Sequence, residues 1–212
     1  MNTTPDNTVS LAHFDRGKVF YPLIMQYLIQ LLGQKELMIH GLTQLFSDLQ
    51  QIIVVKPGSE QIDDMDDFQK KLSKLLGPLE MASSILPQPL IVPVEMISRD
   101  FVENHNYLLD FTLLSAGNML ILAHELCKDK PAHDTGPLWE FLRHCRNAAA
   151  HGSKFVFRND EPKRQAKWRS SELSRDLQGE NLFKKVGGKG LLLPADPIYL
   201  LWDIEQAYPD LA

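Results

Sequence analysis

The sequence predicts an all-α helical bundle with a small β element. Apolar residues recur at steps of three and four over several long stretches, the spacing that places them on one face of an α-helix. A later segment, Lys154-Phe-Val-Phe-Arg158, instead has aromatic residues at alternate positions, as a short strand does. With 212 residues and 44% apolar content, the chain is long enough to bury a substantial core. We therefore expect a single domain over residues 1–212.

The N-terminal part is expected to contain three helices after a polar start. Residues 1–16 are polar and aperiodic, which predicts a flexible N-terminal arm. Two amphipathic helices follow over 18–32 and 34–54, and the glycine between them favours a hairpin. Acidic residues at 63–67 predict the start of a third helix, which ends near residue 76.

Proline divides the chain near its middle. Residues 78–94 hold four prolines, which predicts a proline-rich loop because proline interrupts regular helices. The longest periodic stretch then covers 95–128 and predicts one helix of bundle length. A short polar connection separates it from the next helix, so the two are expected to pack antiparallel. A final helix is expected with Asp196 as its N-cap and Pro197 in its first turn.

The segment 135–151 predicts a helix with a signal at each end. Thr135 is expected as the N-cap, and Pro137 falls where the first turn tolerates a missing N–H. Gly152 is placed to adopt the left-handed conformation that closes a helix. Five apolar residues recur at helical spacing and are expected to face the core: Leu138, Phe141, Leu142, Cys145 and Ala149.

The other side of this helix carries the residues with the most chemistry. Arg146 lies little more than one turn before His151. Unpaired carbonyls at a helix C-terminus favour a charged imidazole, which suits His151 as a general acid or base. A guanidinium nearby can bind a phosphate and stabilise the charge of a phosphorane. The alternative interpretation is a solvated arginine and a histidine that only caps carbonyls.

The β element is expected directly after this helix. Residues 154–158 are predicted to pair with the chain near 167–169. Trp168 beside cations suits the stacking of a base, but a core anchor is the favoured interpretation. The glycine-rich segment 186–190 lacks the spacing of a phosphate-binding loop and is interpreted as a turn.

Two segments carry a resemblance to a known family. Arg146-Asn-Ala-Ala-Ala-His151 resembles the R-x4-6-H motif of the HEPN superfamily (higher eukaryotes and prokaryotes nucleotide-binding domains), in which a polar residue follows the arginine. The order of later segments, which ends in Gly190-Leu-Leu-Leu-Pro-Ala-Asp-Pro-Ile-Tyr-Leu-Leu-Trp-Asp203, is similar to a bacterial branch found among plasmid-borne and defence-associated proteins. The resemblance covers residues 99–207.

The resemblance implies a function as well as a fold. Families of this type are all-α and usually dimeric, and many are metal-independent endoribonucleases whose paired motif helices form one composite cleft. It implies Arg146 and His151 as catalytic residues, with Asn147 orienting one of them. It also implies a homodimer, no cofactor, and a role as a toxin or phage-defence effector with an antitoxin protein as a partner.

The distribution of charge favours an RNA partner despite a net charge of −5. Residues 143–189 hold 12 Lys and Arg against 5 Asp and Glu, a net charge of +7, whereas the residues before and after them are acidic. Such a block suits a phosphate backbone, with a solvated surface as the alternative. The residues expected to contact RNA are Arg143, His144, Lys154, Arg158, Lys167 and Arg169.

Other classes of protein are disfavoured. The sequence has no run of 18 apolar residues and no basic leader before an apolar stretch, so we expect a cytoplasmic protein without a membrane partner. Cys127 and Cys145 are expected as reduced thiols, because they do not form a spaced framework. The seven histidines show no metal-ligand spacing, so no metal site is expected.

Two other functions remain open on the sequence alone. A non-catalytic HEPN module would bind RNA, a nucleotide or a partner protein through the same helix. An oligomeric scaffold would use Ala148-Ala149-Ala150 only for close helix packing. Cleavage of RNA separates the endoribonuclease from both.

Overall fold

The computed structural model confirms a mostly helical chain with small sheets. It describes residues 14–53, 78–82, 84–85, 87–104, 106–130, 136–185 and 188–211, without the side chains of 44–53, 94–95 and 98. The described helices are α1 (Tyr21–Ile53), α2 (Val94–Glu103), α3 (Asn106–Cys127), α4 (Gly136–Ala150) and α5 (Asp196–Ala207). The described strands are β1 (Leu79–Met81), β2 (Leu90–Val92), β3 (Ala166–Trp168) and β4 (Ser171–Leu173), and 3₁₀ turns cover Arg175–Leu177 and Pro209–Leu211.

The chain divides into two compact units. One consists of Met1–Gln30 with Asp110–Ala212, and the other of Leu31–Leu109. The first unit contains the Arg146 segment and most of the core. The expectation of a single domain stays a prediction, and the predicted helix ending at residue 76 lies outside the described residues.

The expected hairpin at Gly33 is wrong, because α1 is one continuous helix of 33 residues. A single glycine costs a helix only about 1 kcal/mol, and its neighbours Leu31, Leu32, Gln34 and Lys35 are good helix formers. The glycine therefore does not end the helix.

The start of α1 is anchored by the last helix. Buried Glu205 of α5 accepts a hydrogen bond from the backbone N–H of Phe20 at 2.7 Å, one residue before α1 begins. Phe14 also packs edge-on against Trp202, with ring centroids 5.6 Å apart. Residue 14 is thus held in place, while residues 1–13 of the expected flexible arm lie outside the described residues.

The predicted proline-rich loop over 78–94 is only partly correct. Antiparallel strands β1 and β2 lie within it, with Leu79 opposite Val92 and Met81 opposite Leu90. Pro78 and Pro93 flank the strands, and Pro87 and Pro89 lie in the connection between them. A hairpin is compatible with four prolines because none of them occupies the ladder of hydrogen bonds.

The single helix expected over 95–128 is interrupted. Helix α2 ends at Glu103, where the N–H of Asn104 still reaches the carbonyl of Asp100 at 3.0 Å, and α3 begins at Asn106. Asparagine is a poor residue for helix interiors, which explains a break that apolar spacing does not reveal. By length and composition α3 is apolar enough to cross a membrane, with a mean hydropathy of 1.2, but core helices meet the same criterion.

The predicted pairing of segment 154–158 with residues 167–169 is wrong. Strand β3 pairs with β4 through a two-residue turn that contains Arg169 in the left-handed region. Segment 154–158 instead bonds to the chain near Glu180, since the N–H of Phe155 donates to the Glu180 carbonyl at 2.9 Å. A local hairpin competes well with a more distant partner because its loop closure costs less entropy. The alternation itself is confirmed, because Phe155 and Phe157 are buried and Val156 is exposed.

Trp168 and the start of α5 were both predicted from the sequence. Trp168 is confirmed as a buried anchor, and its indole N–H donates to Asp203 of α5 at 2.7 Å. The expected N-cap is displaced by one residue, because Ala195 holds the cap position and Asp196 is the first residue of α5. The Asp196 carboxylate accepts instead from the backbone N–H of Leu193 at 2.7 Å.

Candidate functional site

Helix α4 is buried on most of its circumference before it reaches Arg146. The expected apolar face is confirmed for Phe141, Leu142 and Cys145, which are fully buried, and Trp139 and Ala148 are buried as well. Phe141 contacts Trp168, with ring centroids 5.8 Å apart. This packing fixes the rotation of α4, so the direction in which its last turns face is fixed as well.

The C-terminal end of α4 closes as its sequence predicts. The N–H of His151 reaches the carbonyls of Asn147 and Ala148, both at 3.1 Å, and Gly152 has φ +71°. A left-handed residue there favours glycine because a Cβ would be strained. The His151 side chain is exposed directly beyond the helix. The expected N-cap, Thr135, lies outside the described residues.

Arg146 is held by two neighbours. One terminal nitrogen, Nη1, donates to Oδ1 of Asn147 at 3.1 Å, and the other, Nη2, donates to Oε1 of Glu125 on α3 at 2.9 Å. The side chain retains 32% of its exposure, and its buried Nε has no hydrogen-bond partner. The guanidinium is therefore oriented but still accessible from solvent.

Glu125 joins Arg146 to a second cation that the sequence analysis did not identify. Its Oε2 accepts from Nζ of Lys128 at 3.1 Å, while Oε1 accepts from Arg146. These hydrogen bonds, first from Lys128 and then from Arg146, lower the pKa of Glu125. An acid three residues before a lysine near a helix end is a common surface pattern, so the sequence gives little signal for this cluster.

No side-chain hydrogen bond or ion pair joins His151 to Arg146 or Asn147 in the part of the chain that the structure describes. Arg146 and Asn147 are brought together by direct contact, and His151 stands free one turn later. A ligand bound at the end of α4 is needed to engage the arginine and the histidine at once.

Two residues expected to contact RNA lie in a buried charge network instead. Arg143 binds both oxygens of Glu140, at 2.7 and 3.1 Å, and also Glu161 at 3.2 Å. His144 is only 2% exposed, and its Nε2 lies 3.2 Å from Glu140, itself 4% exposed. The predicted contact of Arg143 and His144 with RNA is not supported, because both side chains are engaged in this network. The prediction assumed that the polar residues of the helix lie in solvent.

The protonation of this network follows from its surroundings. Burial opposes ionisation of Glu140, but its hydrogen bonds and charge pairing with Arg143 outweigh burial and lower its pKa. Burial, and then the charge of Arg143, lower the pKa of His144 below its usual value. A neutral His144 beside a charged Glu140 and Arg143 is thus the state that the fold favours near neutral pH.

The remaining basic residues differ in their exposure and in whether an acidic side chain pairs with them. Lys154, Arg158 and Lys167 are exposed. Arg169 is bound to both carboxylate oxygens of Asp203, at 2.7 and 3.1 Å, and its guanidinium carbon lies 5.3 Å from the Trp168 ring centroid. The charge of Arg169 is therefore matched within its own chain.

The alanine run at the end of α4 packs within the chain. A Cβ placed on Gly117 of α3 would lie 3.3 Å from Cβ of Ala149, so the two helices approach closely at this point. Ala148 is buried as well. Ala149 thus contributes to the contact of α4 with α3, while Ala150 is exposed.

The outer face of α3 is apolar and exposed. Four large apolar side chains on this face are exposed: Phe111, Leu114, Leu122 and Leu126. Glu125 lies on the same face by helical rotation. The apolar face, as we call these four side chains, thus extends along α3 to the partner of Arg146.

The comparisons with known proteins add no assignment. A scan against protein-family models and searches of curated proteins and of solved structures find no match. Among the described residues, no group of three or more His, Cys, Asp or Glu side chains is placed to hold a metal ion.

Replacement of Arg143 by alanine is expected to destabilise the fold. It leaves the buried Glu140 charge without its main partner, and loss of one member of a buried pair typically costs about 3–5 kcal/mol. Because Arg143 is partly exposed, we expect about 2–3 kcal/mol by urea denaturation. Arg158→Ala, an exposed arginine, serves as the control and should change the unfolding free energy by less than about 0.5 kcal/mol. Equal effects of the two variants would contradict the network.

Proposed function

We propose that the protein is a HEPN-type, metal-independent endoribonuclease with its site at the end of α4. The observation that supports this most is the placement of an oriented, accessible Arg146 guanidinium and an exposed His151 on successive turns that emerge from a buried helix. An arginine can stabilise phosphate charge and a histidine can transfer protons, and the two together are sufficient groups for metal-independent cleavage of RNA. The bacterial defence-associated branch is the proposed affiliation, with an antitoxin protein as a second partner and the cytoplasm as its location.

The proposed reaction uses the RNA's own 2′-hydroxyl as the nucleophile. His151 takes the proton from the 2′-OH as its oxygen attacks phosphorus, and an imidazolium returns a proton to the departing 5′-oxygen. Arg146 compensates the charge that develops on the phosphoryl oxygens, and Asn147 keeps the guanidinium in place. One P–O bond forms and one breaks. The products are a 2′,3′-cyclic phosphate and a 5′-hydroxyl.

We further propose that the protein acts as a homodimer. The apolar face of α3 supports this, because monomeric proteins rarely expose contiguous large apolar side chains. The face reaches Glu125, the partner of Arg146, so a two-fold contact along it is expected to bring the two α4 ends near each other. Two arginines and two histidines would then share one cleft.

A second candidate function is RNA binding without cleavage. The observation in its favour is the Arg146–Glu125 ion pair, because a guanidinium already bound to a carboxylate offers less charge to a reacting phosphate. Such a module would bind RNA through the same cations but lack turnover. The two candidates differ in a single outcome, the cutting of the strand.

Arg146→Ala and His151→Ala are each expected to reduce RNA cleavage by about 10²- to 10⁴-fold, the typical effect of removing a positioned acid–base or charge-stabilising group. Neither side chain is part of the core, so melting temperatures should change little. Chelation by EDTA should leave the wild-type rate unchanged, because the mechanism needs no metal-bound water. Arg16→Ala, which removes an exposed arginine outside the basic block, is the matched control and should keep cleavage within a few-fold of wild type.

These kinetics discriminate between the candidates. Persistence of cleavage in His151→Ala, or its loss with EDTA, would contradict the proposed mechanism. A wild type that binds RNA but cuts none would favour the non-catalytic module.

The homodimer is tested by placing a charge on the apolar face. Leu122→Glu is expected to convert a dimer to a monomer in light scattering, because a carboxylate would be desolvated in the interface. Leu193→Glu places the same charge at another exposed leucine and should leave the dimer intact. A wild type that is monomeric at micromolar concentration, or a dimer that both variants retain, would remove this face from the proposal.

A further inference from the structure

The Glu125 cluster combines one carboxylate with two cations from different parts of the chain. Arg146 of α4 binds Oε1, and Lys128, which directly follows α3, binds Oε2, at 2.9 and 3.1 Å. All three side chains are partly exposed, from 32% for Arg146 to 54% for Lys128. The two cations are therefore held at the two oxygens of a single accessible anion.

A phosphodiester, like this carboxylate, is an anion whose two oxygens bind cationic hydrogen-bond donors. Its two non-bridging oxygens share a negative charge, and guanidinium and ammonium groups bind phosphate and carboxylate oxygens with similar geometry. Exposed ion pairs contribute little to stability, so the carboxylate is readily displaced by a competing anion. The Nε of Arg146 is buried, so the exchange of anions takes place at the terminal nitrogen Nη2.

We infer that Arg146 and Lys128 together form the binding site for the scissile phosphate, and that Glu125 occupies this site in the free protein. This inference rests on the proposed function, to which it adds a second phosphate ligand and a competing internal anion. Glu125 acts as a positioning residue that keeps both cations together until RNA replaces it. Asn147 retains its bond to the other nitrogen of Arg146 throughout the exchange.

The inference is tested first with inorganic pyrophosphate, an anion that carries no base or ribose. Calorimetric titration of the full-length protein should show that Glu125→Gln tightens binding about 2- to 5-fold, because the competing charge is gone while the side chain keeps its size. Lys128→Ala should weaken binding by a similar factor. Lys130→Ala removes a lysine two residues further along and should change affinity little.

A double variant provides a sharper measurement. Lys128→Ala should cost more affinity in the Glu125→Gln background than in the wild type, since the lysine charge is no longer neutralised there. Glu125→Gln should also lower the KM for RNA, an effect that a purely structural glutamate would not produce. Melting curves for each variant verify that the fold is intact.

Several results would overturn the inference: no pyrophosphate binding by the wild type, weaker or unchanged binding by Glu125→Gln, or equal effects of the Lys128 and Lys130 variants. The failure of the inference is distinguishable from failure of the proposed function. Cleavage of RNA with none of these affinity changes would reject the Lys128–Arg146 site and leave the endoribonuclease standing. The expected pyrophosphate pattern without any RNA cleavage would support the anion site and reject the enzyme.

Discussion

The burial of α4 is the constraint on which the candidate site depends. Phe141, Leu142 and Cys145 are fully buried, and the helix packs against β3 through Phe141 and Trp168. Rotation of the helix would expose these side chains to water, so its orientation is set by the hydrophobic effect over four turns. Arg146 lies in the last turns of this helix, and His151 follows directly after its end. Their direction is thus determined by residues that have no part in the chemistry.

Charge pairing within the chain decides which cations remain for a ligand. The basic block has a net charge of +7, yet Arg143 is bound to Glu140 and Glu161, and Arg169 is bound to Asp203. The pair of Arg143 with buried Glu140 is not available to a phosphate. Arg169, although 56% exposed, is bound by both carboxylate oxygens of Asp203. The Arg146–Glu125 pair differs in its geometry, because one terminal nitrogen of Arg146 meets one oxygen of a partly exposed carboxylate, and such a pair exchanges readily. The number of basic residues therefore overstates the positive charge that is available to a ligand. Acids placed beside some of these residues neutralise part of that charge.

Local signals predicted much of the fold, whereas long-range contacts did not follow from the sequence. Gly152 closes α4 and Trp168 is buried, because a left-handed glycine and an apolar spacing are properties of a few neighbouring residues. The pairing of Phe155 with Glu180 and the Arg146–Glu125 ion pair join distant parts of the chain, and no spacing rule specifies them. Apolar character alone does not separate the core of α3 from its exposed face, since Leu120 and Leu122 are equally apolar but only Leu120 is buried. Burial depends on the partners that surround a helix, which one sequence does not reveal.

The endoribonuclease that we propose uses the 2′-hydroxyl of RNA as the nucleophile at the end of α4. The most direct measurement compares an RNA oligonucleotide with the same strand carrying a 2′-O-methyl group at the cleavage position, and identifies the product ends by mass spectrometry. We expect that both strands bind, that only the unmodified strand is cut, and that the cut leaves a 2′,3′-cyclic phosphate and a 5′-hydroxyl. Cleavage of the methylated strand at that position, or products with a 3′-hydroxyl and a 5′-phosphate, would contradict the proposal.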